Sequence, residues 1–92
     1  MTTEAEEFKK QEERFGELSN LFYAIWGDLL YFDVFKPKNY VARCFVNIHT
    51  HNGRGCLWIA MTSDDNHKTS LSALRALNDR LELALKGKVK GA

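Results

Sequence analysis

The sequence predicts a small α+β fold of order α-β-β-β-α, a three-stranded antiparallel meander sheet packed with two helices. Three observations point to it. Apolar residues recur at helical spacing near both ends of the chain, they alternate at strand spacing in the middle, and the breaks between runs fall at glycine, proline and short polar stretches. At 92 residues the chain is expected to form one domain over residues 1–87, followed by a basic flexible tail at 88–92.

The first helix should start at Thr3-Glu4-Ala5-Glu6, a capping-box spacing in which the threonine and the glutamate satisfy free backbone donors. Phe8, Phe15, Leu18, Phe22, Ile25 and Leu29 follow at spacings of 7, 3, 4, 3 and 4, one apolar stripe, with Glu6, Glu13, Glu17 and Asn20 opposite. Gly16 costs this helix about 1 kcal/mol relative to Ala. The flanking repeat should still carry it to Gly27.

After Gly27-Asp28 the period becomes two. Leu30, Phe32 and Val34 alternate with Tyr31, Asp33 and Phe35 until Lys36-Pro37-Lys38-Asn39 forces a turn. A second run, Tyr40 to Ile48, sets Tyr40, Ala42, Cys44, Val46 and Ile48 against Val41, Arg43, Phe45 and Asn47. Cys56 to Met61 is the third, short and mostly apolar. Brief connections between the runs suggest antiparallel pairing, with His49-Thr50-His51-Asn52-Gly53-Arg54-Gly55 as the second hairpin connection.

Ser63-Asp64-Asp65-Asn66 is loop chemistry, and Thr69 or Ser70 can cap a second helix running to about Lys86, with Gly87 as its stop. Leu74, Leu77, Leu81 and Leu85 make its apolar stripe. Arg75/Asp79 and Glu82/Lys86 lie opposite at i,i+4 spacing, and Leu83 points with Ala76 to the polar side.

Charge narrows the function classes. A total of 13 Lys+Arg against 12 Asp+Glu gives a net charge of +1, neither a strongly acidic nucleic-acid mimic nor a strongly basic nucleic-acid binder. The distribution is uneven: residues 1–17 hold 6 glutamates against 3 basic groups, a balance of −3, and residues 68–92 hold 6 basic groups against 2 acidic ones, a balance of +4. One end of the sequence suits cationic partners and the other phosphate. The N-terminus is acidic without an apolar signal region, and no apolar run approaches the ~20 residues of a membrane span, so a cytosolic protein is expected.

Chemistry finds little support. His49 and His51, with Cys56 or His67, offer nitrogen and sulfur ligands to zinc, but the second pair of a structural site is missing. Cys44 and Cys56 sit in strand-like runs where a thiol acts as a small hydrophobe, and no cation or helix start is placed to stabilise a thiolate. Asp64-Asp65 reads as turn and capping chemistry, and the loop glycines match no phosphate-binding fingerprint. No enzyme, cofactor or metal is expected.

Binding surfaces read better. If both helices cover one face of the sheet, Tyr31, Phe35, Arg43, Phe45 and Trp58 face outward and mix aromatics with a cation, as interface hot spots and base-stacking platforms do. If the helices sandwich the sheet, the same aromatics are core. Two-layer and three-layer packings fit the pattern equally. The expected partner-binding residues are Lys36 and Lys38 around Pro37, Arg43 on the sheet, His49, His51, Asn52 and Arg54 at the hairpin tip, and Arg75 and Lys86 on the second helix.

The chain as a whole, and above all its opening MTTEAEEFKKQEERFGELSNLFYAIWGDLLYFDVFKPKNY, resembles the phage-encoded anti-CRISPR proteins that block type I-F systems. The resemblance spans essentially the full length and rests on overall likeness, because that group shares no signature motif. It implies a non-enzymatic inhibitor in the bacterial host cytoplasm, with no small-molecule substrate and no membrane association. Its partner would be the multi-subunit Cascade-type surveillance complex, Cas proteins and guide RNA, and its effect a block of target-DNA hybridisation or of nuclease recruitment. The charge split suits a wedge between protein subunits better than an imitation of DNA. A small nucleic-acid-binding regulatory protein and a self-associating structural phage protein are the alternatives.

Overall fold

A computed structural model describes residues 3–49 and 55–90, with side chains described throughout except at 47–49, 55–58, 60 and 88–90. The order is α1 (Glu4–Trp26), β1 (Leu30–Phe35), β2 (Val41–His49), β3 (Gly55–Thr62) and α2 (Ser70–Lys90), and the strands form one antiparallel sheet in the order β1-β2-β3. This is the predicted α+β architecture.

Both helix starts are capped as the sequence suggests. The Thr3 hydroxyl accepts the Glu6 N–H at 3.1 Å, and Thr69, not Ser70, caps α2 by accepting the Ser72 N–H at 3.1 Å. The helix ends differ from expectation. Gly27, at φ 77°, turns into the left-handed region and donates its N–H to Tyr23 at 2.7 Å, which closes α1 and leaves Leu29 outside the apolar stripe and exposed. Gly87, by contrast, does not stop α2, and residues 88–90 are helical. Among the described residues only Gly27 has a positive φ, so the chain passes Gly87 as it passes Gly16, at a cost of about 1 kcal/mol that the flanking helix absorbs.

Both helices lie on one face of the sheet. Leu74, Leu77, Leu81 and Leu85 are buried with Ala73 over Ala42 and Cys44, and Phe15, Leu18 and Leu30 complete the core. Burying each of those leucines is worth about 2 kcal/mol relative to exposure, so this stripe dominates the packing. The Phe15 and Phe32 rings meet at 4.8 Å between centres with their planes tilted by 57°, tying α1 to β1. Of the two packings the pattern allowed, the chain adopts the two-layer one.

α1 and α2 run parallel, because Glu7 meets Arg75, Gln11 meets Asn78, and Arg14 meets Asp79 and Glu82 in ascending order along both helices. The acidic first segment and the basic last one therefore lie side by side and share ion pairs, so they do not form two opposite poles. Arg75 and Asp79 do not make the expected i,i+4 pair, since each is taken by α1, whereas Glu82 and Lys86 do at 3.5 Å.

Register decides which strand residues face out. β1 pairs with β2 as Tyr31↔Phe45, Asp33↔Arg43 and Phe35↔Val41, without interruption. Between β2 and β3 the register shifts, Cys44 pairing with Met61 but Phe45 with Ile59, so Ala60 is the extra residue of a bulge. In consequence the ladder sets Ile59 opposite Phe45, the position the outward expectation had given to Trp58, and pairs Trp58 with Val46.

Candidate interaction surface

Strand alternation sends Leu30, Phe32, Val34, Ala42 and Cys44 toward the helices and leaves Tyr31, Asp33, Phe35, Arg43, Phe45 and Ile59 on the uncovered face. Tyr31 is 45% exposed, Phe35 39% and Ile59 57%, a concentration of apolar surface that folding leaves in water.

Arg43 organises this face. Its guanidinium donates two hydrogen bonds to the Asp33 carboxylate across the strand pair, Nε to Oδ1 at 2.7 Å and Nη2 to Oδ2 at 2.9 Å. The same guanidinium lies 4.2 Å from the Phe35 ring centre and 5.0 Å from that of Phe45. The hydrogen bond to Asp33 raises the Arg43 pKa above its already high ordinary value. A fork closed on a carboxylate and backed by two rings is a rigid, locally neutral element, so the face presents aromatic surface more than free positive charge. The sequence singled out Arg43 and its aromatic neighbours but not Asp33 or Ile59. Asp33 was legible only as a polar residue in an alternating run, and Ile59 reaches this face through the bulge.

The other expected contact residues do not converge on Arg43. Lys36 and Lys38 are exposed at the β1–β2 connection, where the Lys36 ammonium lies 5.0 Å from the Tyr40 ring centre and Lys38 helps line a cleft of about 410 Å³ with Pro37, Asn39, Asp65 and Asn66. His49, where β2 ends, lies at the far end of a nine-residue strand, roughly 30 Å away, so a single small contact does not include both ends of the sheet. His49 closes β2, its side chain outside the described set, and His51, Asn52 and Arg54 lie outside the described residues altogether. Arg75 is engaged with Glu7 at 3.9 Å on the helix layer, and Lys86 is exposed beside Glu82. These two belong to the opposite side of the molecule from Arg43.

The described titratable groups that the sequence raised as chemistry have structural surroundings. Cys44 is buried, and desolvation pushes its thiol pKa up to about 11, so it is protonated and inert at neutral pH. His67 shares its Nδ1 with the Ser72 hydroxyl at 2.7 Å, and its backbone carbonyl accepts the Tyr40 N–H at 2.8 Å, which fastens the β3–α2 loop to the sheet. Asp64 is held by Arg80 and Asp65 is exposed. Among the described residues no three His, Cys, Asp or Glu side chains gather as a metal site, and no helix is long and apolar enough to cross a membrane.

No protein family model, curated protein or solved structure matches the chain.

Proposed function

We propose that the protein is a non-enzymatic anti-CRISPR inhibitor that acts in the cytoplasm of an infected bacterium, binds the guide-RNA-loaded type I-F surveillance complex and blocks target-DNA hybridisation. The identity of the complex comes from the likeness of the whole sequence to that group. The mode of contact is carried by one observation, the uncovered aromatic face around the closed Arg43–Asp33 pair. A desolvatable patch of Tyr31, Phe35, Phe45 and Ile59 with its charge neutralised internally suits a protein surface, where aromatic anchors contribute most of the binding energy. Guide RNA is then a neighbour of the contact more than its centre.

The test is co-purification with the assembled complex and a target-DNA gel shift, using wild type, the double variant Tyr31→Ala/Ile59→Asp, and Lys36→Glu/Lys38→Glu. Wild type should abolish the shifted band, the face variant should restore it, and the turn variant should behave as wild type. An unchanged shift at saturating inhibitor removes the hybridisation block. Loss of binding in the turn variant alone moves the contact from the sheet face to the turns.

A second reading is favoured by the aromatics alone: bases of single-stranded RNA or DNA stacked on Tyr31, Phe35 and Phe45. It requires binding to free oligonucleotide that weakens steeply as salt rises. Absence of binding at low salt eliminates it.

A further inference from the structure

We propose that the free edge of β1, with the flank of α1 above it, is a strand-addition slot for an extended segment of a partner protein that carries a lysine or arginine among small apolar residues. β1 is an outer strand, paired on one side only. Its unpaired backbone groups can be assigned from the other side of the sheet. Ala42 accepts the Ser63 N–H at 2.7 Å and donates its own N–H to the Ser63 hydroxyl at 2.9 Å, so its backbone points away from β1. Alternation then directs Val41, Arg43 and Phe45 at their β1 partners Phe35, Asp33 and Tyr31. The N–H and C=O groups of Phe32 and Val34 therefore point outward from the sheet.

Space exists where those groups point. A groove of about 390 Å³ runs between α1 and β1, with Glu12, Phe15, Gly16 and Ser19 on one wall and Leu30, Tyr31 and Phe32 on the other. A side chain at Gly16 would enter open space, since a Cβ there meets nothing within 4 Å. Natural edge strands are usually blunted by charged residues, lysine above all, by proline or by a bulge, and Leu30–Phe35 contains no lysine, proline or bulge. The opposite edge strand, β3, carries the bulge. Asp33, the one charge in β1, is turned across the sheet to Arg43.

The occupant follows from charge and shape. Glu12 is exposed on the α1 wall with no ion-pair partner among the described residues, which favours a cationic side chain in the incoming segment. A second copy of this chain fits less well, because its β1 arrives with its own α1 on the same face and two helices would compete for one slot. A bare strand does not. Main-chain hydrogen bonds to Phe32 and Val34 would supply affinity and Glu12 selectivity, as in strand addition generally. This slot shares Tyr31 with the aromatic face but is defined by the free β1 edge and the α1 wall, and the inference stands whether or not that reading holds.

The test uses the full ¹⁵N-labelled chain and two blocked pentapeptides, Ac-Thr-Val-Lys-Val-Thr-NH₂ and its counterpart with Glu in place of Lys. The lysine peptide should shift the amides of Glu12, Gly16, Ser19 and Leu30 to Val34, and slow hydrogen exchange at Phe32 and Val34. The glutamate peptide should bind about tenfold more weakly, a difference of about 1.4 kcal/mol. Gly16→Leu, which replaces a helix glycine at an open position and keeps the fold, should abolish binding by filling the slot. The proposal is overturned if millimolar lysine peptide leaves exchange at Phe32 and Val34 unchanged, or if binding survives Gly16→Leu. Protection of those amides that grows with protein concentration without peptide would assign the edge to a second copy and overturn it equally.

Discussion

Gly16 and Gly27 are the same residue in one element, yet the chain uses them oppositely. Gly27 has φ 77°, a conformation in which a Cβ clashes with its own backbone, and its N–H closes the helix onto Tyr23. Gly16 is an ordinary helical residue with open space around it. Gly27→Ala should therefore lower stability by about 1 kcal/mol, and Gly16→Ala should raise it by up to about 1 kcal/mol, both read from urea unfolding midpoints. Equal effects would mean that the turn at Gly27 tolerates a side chain. The same scale contains the contrast between Arg43 and Arg14. Each cation was visible in the sequence, but nothing in spacing revealed that Asp33 closes on one and that Asp79 and Glu82 grip the other. A partner chosen across the fold is not encoded in neighbouring letters.

At the scale of elements, the seam between α1 and α2 is polar along one edge. Asn78 is fully buried and donates to the Gln11 carbonyl at 2.9 Å and to its side-chain oxygen at 3.1 Å. Arg14 sits between Asp79 at 2.8 Å and Glu82 at 2.7 Å. Burial lowers the Arg14 pKa, but hydrogen bonds to Asp79 and then Glu82 outweigh it and leave it raised. Glu82 is lowered, first by the hydrogen bond from Arg14 and then by the nearby charge of Lys86. A carboxyl depressed in the folded state contributes stability above the ordinary carboxylate pKa of about 4.3, and that contribution is lost as pH falls through the folded value. Thermal unfolding of wild type should therefore drop on acidification across and below that range. In Arg14→Met the drop should be shallower, with a loss of about 1 kcal/mol already present at neutral pH. An identical acid profile in the two proteins would separate Glu82 from Arg14. Sequence spacing suggested local i,i+4 pairs for this helix, and the parallel packing of α1 redirected one of them.

For the whole molecule, two helices on one face leave the other face of the sheet in water, which is the source of the candidate interaction surface, while the strand order leaves β1 as an edge beside it. The arrangement also shields Cys44, fully buried between α2 and the sheet with its thiol pKa raised to about 11 by burial. In a Cys56→Ser background, labelling of Cys44 by a disulfide reagent at pH 8 should be undetectable in the native protein and complete in urea, at a rate set by global unfolding. Rapid labelling without denaturant would show that the helix layer lifts from the sheet in the folded state.

The sequence by itself determined the element order, the cap at Thr3, and the leucine stripe of α2, because each depends on residues within a few positions of one another, while the structure chose Thr69 over Ser70 as the cap of α2. It also marked Tyr31, Phe35, Arg43 and Phe45 as one strand face. Only the tertiary structure decided that the face is open, since two-layer and three-layer packings bury the same alternating pattern. It placed the Lys36–Lys38 turn and the end of β2 at His49 at opposite ends of the sheet, laid the acidic and basic segments side by side, and brought Ile59 opposite Phe45 through the bulge at Ala60. Those outcomes depend on which surfaces meet once the chain collapses, and a periodic pattern fixes only which side of each element is apolar.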